Sequence, residues 1–312
     1  MNTDRSTDFY EENGYVVVQD VLSVHELETV RRITDEFEGR ARLATESDDV
    51  FDIGEGHTPE NPRLRRIKSP HKQHPVYRDL LAHPRILEVI TRLITPNIRL
   101  YGTKLNTKPA GHGEAVEWHQ DWAYYPHTND DVLNVGIMLD EVDDRNGPLL
   151  VVPGSHRGPV FDHHREGHFC GAIDPANGIE LSRAEALTGK AGSISVHHAR
   201  AIHASAPNMS PHPRRLLLHI YTAADAWPLV GCGAPGGRAC AGGNFAEYDA
   251  RMVCGRPTTQ PRMVALPVRL PLPPAGDGSS IFTTQAESGY GYFDQDSERR
   301  EASAGAGEKA AS

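Results

Sequence analysis

The chain opens on polar, acidic residues and reaches its first apolar block at 15–19 (YVVVQ), where β-branched residues after Gly14 predict a strand. Helical spacing follows at once. Leu27, Val30, Ile33 and Phe37 recur three or four apart, and Ser23 with Glu26 three residues on has the form of a capping box. A second helix is predicted through Val76 to Ile94 on the stripe Leu80, Leu81, Ile86, Leu87, Ile90 and Leu93, with Pro84 as an interruption or a fresh start. From Ile98 the period changes to two, which predicts strands at 98–108, 115–121, 132–140, 148–152, 192–198 and 214–223. Two helices followed by short strands with Gly and Pro turns indicate a mainly β fold with flanking helices, a sandwich or barrel.

Two stretches break this pattern. Leu229 to Gly243 (LVGCGAPGGRACAGG) reads as a long loop, a candidate border of an active site, and 297–312 (SERREASAGAGEKAAS) lacks apolar periodicity and reads as a disordered tail. No internal repeat is present, so residues 1–296 are read as one domain. With 38% hydrophobic and 24% charged residues the composition is that of a globular protein with a sizeable core. No apolar run of about 18 residues occurs and the first ten residues are polar, which predicts a cytoplasmic protein with no membrane partner. A formal net charge of −10 and the absence of a long basic stripe argue against nucleic acid. One local exception, Arg63 to His74 (RLRRIKSPHKQH), is basic enough to receive an acidic or phosphorylated ligand, although a solvated loop accounts for it more simply. Cys170, Cys232, Cys240 and Cys254 show no C-x-x-C pairing and read as free thiols. Oligomeric state is not legible in the residues.

The chemistry centres on Trp118-His119-Gln120-Asp121. In a strand, the two-residue period puts His119 and Asp121 on one face and turns Gln120 away, so an imidazole and a carboxylate can reach one metal ion. A further histidine would complete the two-histidine, one-carboxylate triad of non-heme iron(II) oxygenases. Among 17 histidines, spacing selects His203 at the end of a predicted strand. Pro207, Asn208, Pro211 and Pro213 then mark a turn, and a hairpin would return Arg214 towards His203. A buried guanidinium there offers a planar fork for the distal carboxylate of 2-oxoglutarate. Lys104, Asn106 and Lys108 share one strand face and are candidates for further cosubstrate contacts; an exposed, lysine-protected edge is the rival account.

These motifs resemble the phytanoyl-CoA dioxygenase family of iron(II)- and 2-oxoglutarate-dependent oxygenases. The resemblance is carried by WHQDW at 118–122, NGPLLVVPGSHRG at 146–158 and HASAPNMSPHPRR at 203–215, together with FYEENGYVVVQDVLS at 9–23. It implies a double-stranded β-helix, a cupin-like jelly-roll barrel, with His119, Asp121 and His203 as the iron ligands and Arg214 on the 2-oxoglutarate carboxylate. The implied activity uses dioxygen (O2) and releases succinate and carbon dioxide while oxidising a C–H bond. Asp121 keeps the carboxylate that related halogenases lack, so hydroxylation is favoured over halogenation. A specialised metabolite or other small acid is preferred as substrate to an acyl-CoA. Two competitors stand beside this reading: a non-catalytic metal-binding jelly-roll protein, and a cupin-like enzyme that uses no 2-oxoglutarate. Trp118, Trp122, Tyr124 and Tyr125 line either the substrate pocket or the barrel wall, His156 reads as structural, and His197 and His198 read as supporting or packing residues.

Overall fold

A computed structural model describes residues 3–111, 113–230, 245–271, 280–286 and 288–293. The expected tail, Cys232, Cys240 and positions 231–243 of the expected Gly-rich loop lie outside the described residues. In chain order the helices are α1 (Thr3–Asn13), α2 (Val24–Ala41), α3 (Pro70–Gln73), α4 (Pro75–Asp79), α5 (Pro84–Leu93), α6 (Phe245–Asp249) and α7 (Ile281–Ala286). The strands are β1 (Tyr15–Val18), β2 (Phe51–Ile53), β3 (Leu64–Lys68), β4 (Ile98–Lys108), β5 (Val116–His119), β6 (Val132–Met138), β7 (Leu149–Val151), β8 (His164–Arg165), β9 (His168–Phe169), β10 (Glu185–Leu187), β11 (Ile194–His198), β12 (His203–Ser205), β13 (Arg214–Ala223) and β14 (Met252–Cys254).

Two antiparallel sheets form the barrel. The larger runs β1-β11-β6-β13-β4-β3-β2, with β14 also on β4, and the smaller runs β10-β7-β12-β5. One cavity is lined from both sheets, so their inner faces oppose each other as in a double-stranded β-helix. Residues directly opposite across an antiparallel ladder share a face. Leu105 lies opposite Ile67 and Leu217, and Leu217 opposite Ile137; these turn outward and are fully buried beneath helix residues such as Val30, Ile33 and Ile90. The alternate residues Lys104, Asn106 and Lys108 lie opposite Leu218, Leu216 and Arg214 and turn into the barrel.

Local chemistry explains the helices. At the start of α2, the Ser23 hydroxyl accepts from the Glu26 amide and the Glu26 carboxylate accepts from the Ser23 amide at 2.8 Å, the capping box expected there. The stripe from Val76 to Ile94 is divided into α4, a 3-10 turn and α5, with the fresh start at Pro84 that was expected. Proline has no amide proton to continue a helix, and Pro75 and Pro84 each open a new one.

Three expectations are corrected. Strand β5 ends at His119, and Asp121 begins a 3-10 turn through Ala123; Gln120 is still extended (φ −120°, ψ 125°), so the alternation carries one residue past the ladder. The 203–214 connection is not a hairpin, because β12 pairs with β5 and β7 in the small sheet while β13 pairs with β4 and β6 in the large one. The basic stretch is not a solvated loop. Its first part is β3, where Leu64 and Ile67 are buried, and its second part is α3.

Candidate active site

His119 and His203 stand opposite each other on β5 and β12, which brings their rings to 4.1 Å between centroids. Asp121 completes the group. His119 Nε2 lies 3.8 Å from Asp121 Oδ1 and His203 Nε2 lies 3.7 Å from Asp121 Oδ2, all three side chains being buried. One donor atom from each falls within 4.8 Å of the others. The imidazoles are oriented by the backbone: His119 Nδ1 meets the Glu117 carbonyl at 2.7 Å and His203 Nδ1 meets the Ala201 carbonyl at 3.0 Å. A carbonyl only accepts, so Nδ1 carries the proton and Nε2 keeps its lone pair for a metal.

Electrostatics set the same protonation state. Burial pushes His119 down to about 4 and His203 well below its ordinary value. Burial alone would raise the Asp121 carboxyl, but His203, His197 and the Lys104 ammonium outweigh it and hold Asp121 well below the usual carboxylate range. Two neutral imidazoles and one carboxylate are the donor set that a divalent iron ion takes.

The next layer fixes the carboxylate and its turn. Asn134 Nδ2 donates to Asp121 Oδ2 at 2.7 Å and to the Tyr125 hydroxyl at 3.2 Å. Gln120 points away from the triad, as its parity requires. Its backbone amide donates to His163 Nε2 at 2.8 Å, and its side-chain amide donates to the Arg200 carbonyl at 2.8 Å and accepts from the Phe161 amide at 2.9 Å. Trp118 faces a separate cluster with Val152, Ile173 and Ile202. Trp122 and Tyr125 belong to another, while Tyr124 sets its ring edge-on to His119 and donates to the Gly171 carbonyl at 2.8 Å. His156 is a packing residue, as expected: its ring sits so close to Gly14 that a Cβ there would fall 2.4 Å from Nδ1.

From the triad a cavity of about 570 Å3, its open mouth included, runs along β4 and β13. Lys104, Asn106, Lys108 and Arg214 all line it. Arg214 is 2% exposed and its Nη2 donates to the Gly147 carbonyl at 2.5 Å and to the Ser205 hydroxyl at 3.1 Å; among the described residues it has no carboxylate within 4 Å. Burial lowers it to about 10. Its Nε and the Asn106 Oδ1 are buried without hydrogen bonds. The Lys104 ammonium has no hydrogen bond or ion pair among the described residues. Lys108 is turned onto the Ser205 and Ala206 carbonyls and, through burial and then the neighbouring Arg214, is pushed well below its usual value. A buried polar group left unpaired costs on the order of 1–3 kcal/mol. Such groups therefore mark where a polar ligand belongs.

Sequence reasoning missed four contributors. Ser205 carries an ordinary hydroxyl, and nothing in its motif sets it apart until β12 places it beside Arg214. Asn134 lies in a strand whose seven residues are all buried, and an amide among apolar neighbours was the available signal. Ile281 and Phe282, from α7 far along the chain, close part of the cavity wall. Three cations of the basic stretch are already engaged: Arg66 pairs with buried Asp52 at 2.9 Å, Arg65 with Glu114 at 2.8 Å, and Lys68 donates to the Asp48 carbonyl at 2.6 Å.

The family model of phytanoyl-CoA dioxygenase (PhyH) matches residues 10–216. A probable alpha-ketoglutarate-dependent hypophosphite dioxygenase of Stutzerimonas stutzeri is 37% identical over 289 residues, covering 91% of this chain and 97% of that protein. An L-proline trans-4-hydroxylase of Streptomyces griseoviridis is 32% identical over 51% of this chain and 67% of its own length. Among solved structures, EctD from S. alaskensis with 2-oxoglutarate and 5-hydroxyectoine superposes with a TM-score of 0.59 at 27% identity, covering 70% of this chain and 76% of that one.

Proposed function

Because this chain belongs to the phytanoyl-CoA dioxygenase (PhyH) family, we propose that the cavity between its sheets is the active site, with His119, Asp121 and His203 holding iron(II) and Arg214 holding 2-oxoglutarate. The protein is an iron(II)- and 2-oxoglutarate-dependent dioxygenase that oxidises a small molecule. When bound, iron and cosubstrate supply an oxidative decarboxylation in which one atom of dioxygen enters succinate, carbon dioxide leaves, and the other atom goes to the substrate.

The chain's own residues prepare that reaction. Asn134 fixes the Asp121 carboxylate, and the Glu117 and Ala201 carbonyls aim the two imidazoles. Arg214 and the Ser205 hydroxyl form a paired receptor for the distal carboxylate. Lys104 and Asn106 lie on the inner face of β4 between that end and the triad, where they meet the body of the cosubstrate. Lys108 braces β12 by holding its carbonyls and adds to the positive field around Arg214.

The observation that carries the reading is a buried arginine, with no carboxylate partner among the described residues, in the same cavity as a His/Asp/His triad. For the substrate, a small acid is favoured over an acyl-CoA. The basic segment that would have met coenzyme phosphates is largely occupied by Asp52, Glu114 and backbone carbonyls, and Ile281 with Phe282 narrows the cavity. Hypophosphite is the first candidate, because the relative matched over almost its whole length is named for it. Its oxidation would insert one oxygen atom into a P–H bond to give phosphite, with succinate and carbon dioxide formed in equal amounts. The test supplies iron(II), 2-oxoglutarate, dioxygen and hypophosphite to the purified protein and measures succinate and phosphite. Failure to bind 2-oxoglutarate, together with no succinate from any small acid or from an acyl-CoA, would sink the reading.

A further inference from the structure

Among the described residues, His197 is the one histidine lining the cavity that the mechanism above leaves unused. It sits on β11 opposite Asn134, lines the cavity, and brings its ring to 4.5 Å from that of His203. It is 1% exposed, yet among the described residues neither Nδ1 nor Nε2 has a hydrogen-bond partner. Its nearest acceptor, Asp121 Oδ2, is 3.5 Å from Nε2 and is already taken by Asn134 at 2.7 Å. A residue needed only to fill this inward position would be apolar, as Leu218 and Ile220 are on β13, two strands away in the same sheet.

The surroundings select what the ring can meet. Asp121 carries one negative charge, and Lys104 and Arg214 carry one positive charge each. Two charges from iron(II) cancel the two of 2-oxoglutarate, which leaves the loaded cavity at least one positive charge in excess. Lys108, where it is protonated, adds to that excess. A buried site of this kind favours a ligand that carries negative charge, a monoanion being the smallest that offsets the excess.

We propose that His197 is a specificity-determining residue that donates a ring N–H to an oxygen of a compact monoanionic substrate, seated beside the triad in the field of Lys104. This rests on the dioxygenase reading and narrows it to small oxyanions such as hypophosphite. His197 supplies none of the three donor atoms of the triad and makes no hydrogen bond to them, so its loss is felt chiefly by the substrate.

The experiment uses the iron(II)- and 2-oxoglutarate-loaded protein without oxygen, so that binding is read without turnover. Hypophosphite is titrated and followed by phosphorus NMR relaxation, while 2-oxoglutarate affinity is measured by calorimetry on the same samples. His197→Leu is expected to weaken hypophosphite about ten- to hundredfold, the weight of a hydrogen bond to a charged acceptor. His197→Gln, which keeps an N–H donor, should recover most of that, and in neither variant should 2-oxoglutarate or iron affinity fall by a comparable factor. Unchanged hypophosphite affinity in His197→Leu, no recovery in His197→Gln, or a matching loss of iron or 2-oxoglutarate affinity each overturns the proposal, the last by making His197 a positioning residue for Asp121. A wild-type protein that binds 2-oxoglutarate but neither hypophosphite nor formate overturns it too while leaving the dioxygenase reading intact.

Discussion

Replacing Arg214 with leucine separates binding from stability. Nη2 of Arg214 donates to the Gly147 carbonyl and the Ser205 hydroxyl, its Nε is buried without a partner, and no carboxylate lies within 4 Å among the described residues. The free protein thus carries a buried cation that only the more distant Asp140 partly offsets, and burial lowers its pKa to about 10. With 2-oxoglutarate bound, the same group becomes half of a buried, hydrogen-bonded ion pair. Removing one partner from such a pair costs about 2–5 kcal/mol, which at about 1.4 kcal/mol per decade is a roughly thirty- to several-thousandfold loss of affinity. Without the ligand the balance reverses. Leucine loses two hydrogen bonds but relieves the buried charge, so Arg214→Leu should melt at or a few degrees above the wild-type temperature. Calorimetric titration of 2-oxoglutarate and thermal melts with and without it give both quantities. Arg214→Lys should fall between, since an ammonium restores charge without the fork. If Arg214→Leu binds 2-oxoglutarate within about threefold of wild type, the assignment of Arg214 is wrong.

Three further outcomes are expected. His203→Ala should abolish iron(II) binding and succinate formation while the metal-free protein stays folded, checked by metal analysis and circular dichroism; a variant that retains wild-type iron content refutes the triad. Asn134→Leu should lower metal affinity or turnover about ten- to hundredfold by releasing Asp121, whereas an unchanged variant would show that the 2.7 Å bond is dispensable. The metal-free protein should also lose stability on mild acidification. Burial depresses His119 and His127 to about 4 and His163, His198 and His219 to about 3, so the unfolded chain binds protons first as pH falls through 6.5. Stability present above that value is lost at about 1.4 kcal/mol per pH unit for each such histidine. Five together are enough to exhaust an ordinary margin of about 5–15 kcal/mol between roughly pH 6 and pH 4.5. Denaturant midpoints that stay level from pH 7 to 5 would contradict this.

The parts of the molecule legible in the residues are those set by local rules. The capping box of α2 depends on residues three apart, and the long strands β4 and β13 announce themselves by many alternating positions. His119 and Asp121 could be paired because the backbone stays extended through Gln120, even though the ladder stops before it. Short strands were invisible for the opposite reason. In β3, Leu64 and Ile67 are the only apolar residues among three cations, and the partner that makes Arg66 a buried residue, Asp52, belongs to another strand. The path from His203 to Arg214 was misjudged as a hairpin because its proline turns are the same whether the chain folds back within a sheet or crosses to the facing one.

His197 and His198 show where local rules stop. Adjacent in sequence and alike in chemistry, they are divided by the ladder: His197 stands opposite Asn134 and faces the cavity, while His198 stands opposite Leu133 and faces Tyr10 and His156. There His198 Nδ1 accepts from the Arg200 amide at 3.0 Å and Nε2 lies 3.9 Å from Asp130, so its ring has partners that its neighbour lacks. A one-residue slip of β11 would exchange the two roles, because strand parity alone assigns them. The pair therefore provides an internal control for the substrate proposal. His198→Gln removes the same kind of ring one position away, and it should leave hypophosphite affinity unchanged while lowering stability; an equal loss of affinity at both positions would mean that the barrel as a whole, and not the inward face of β11, governs what the cavity binds.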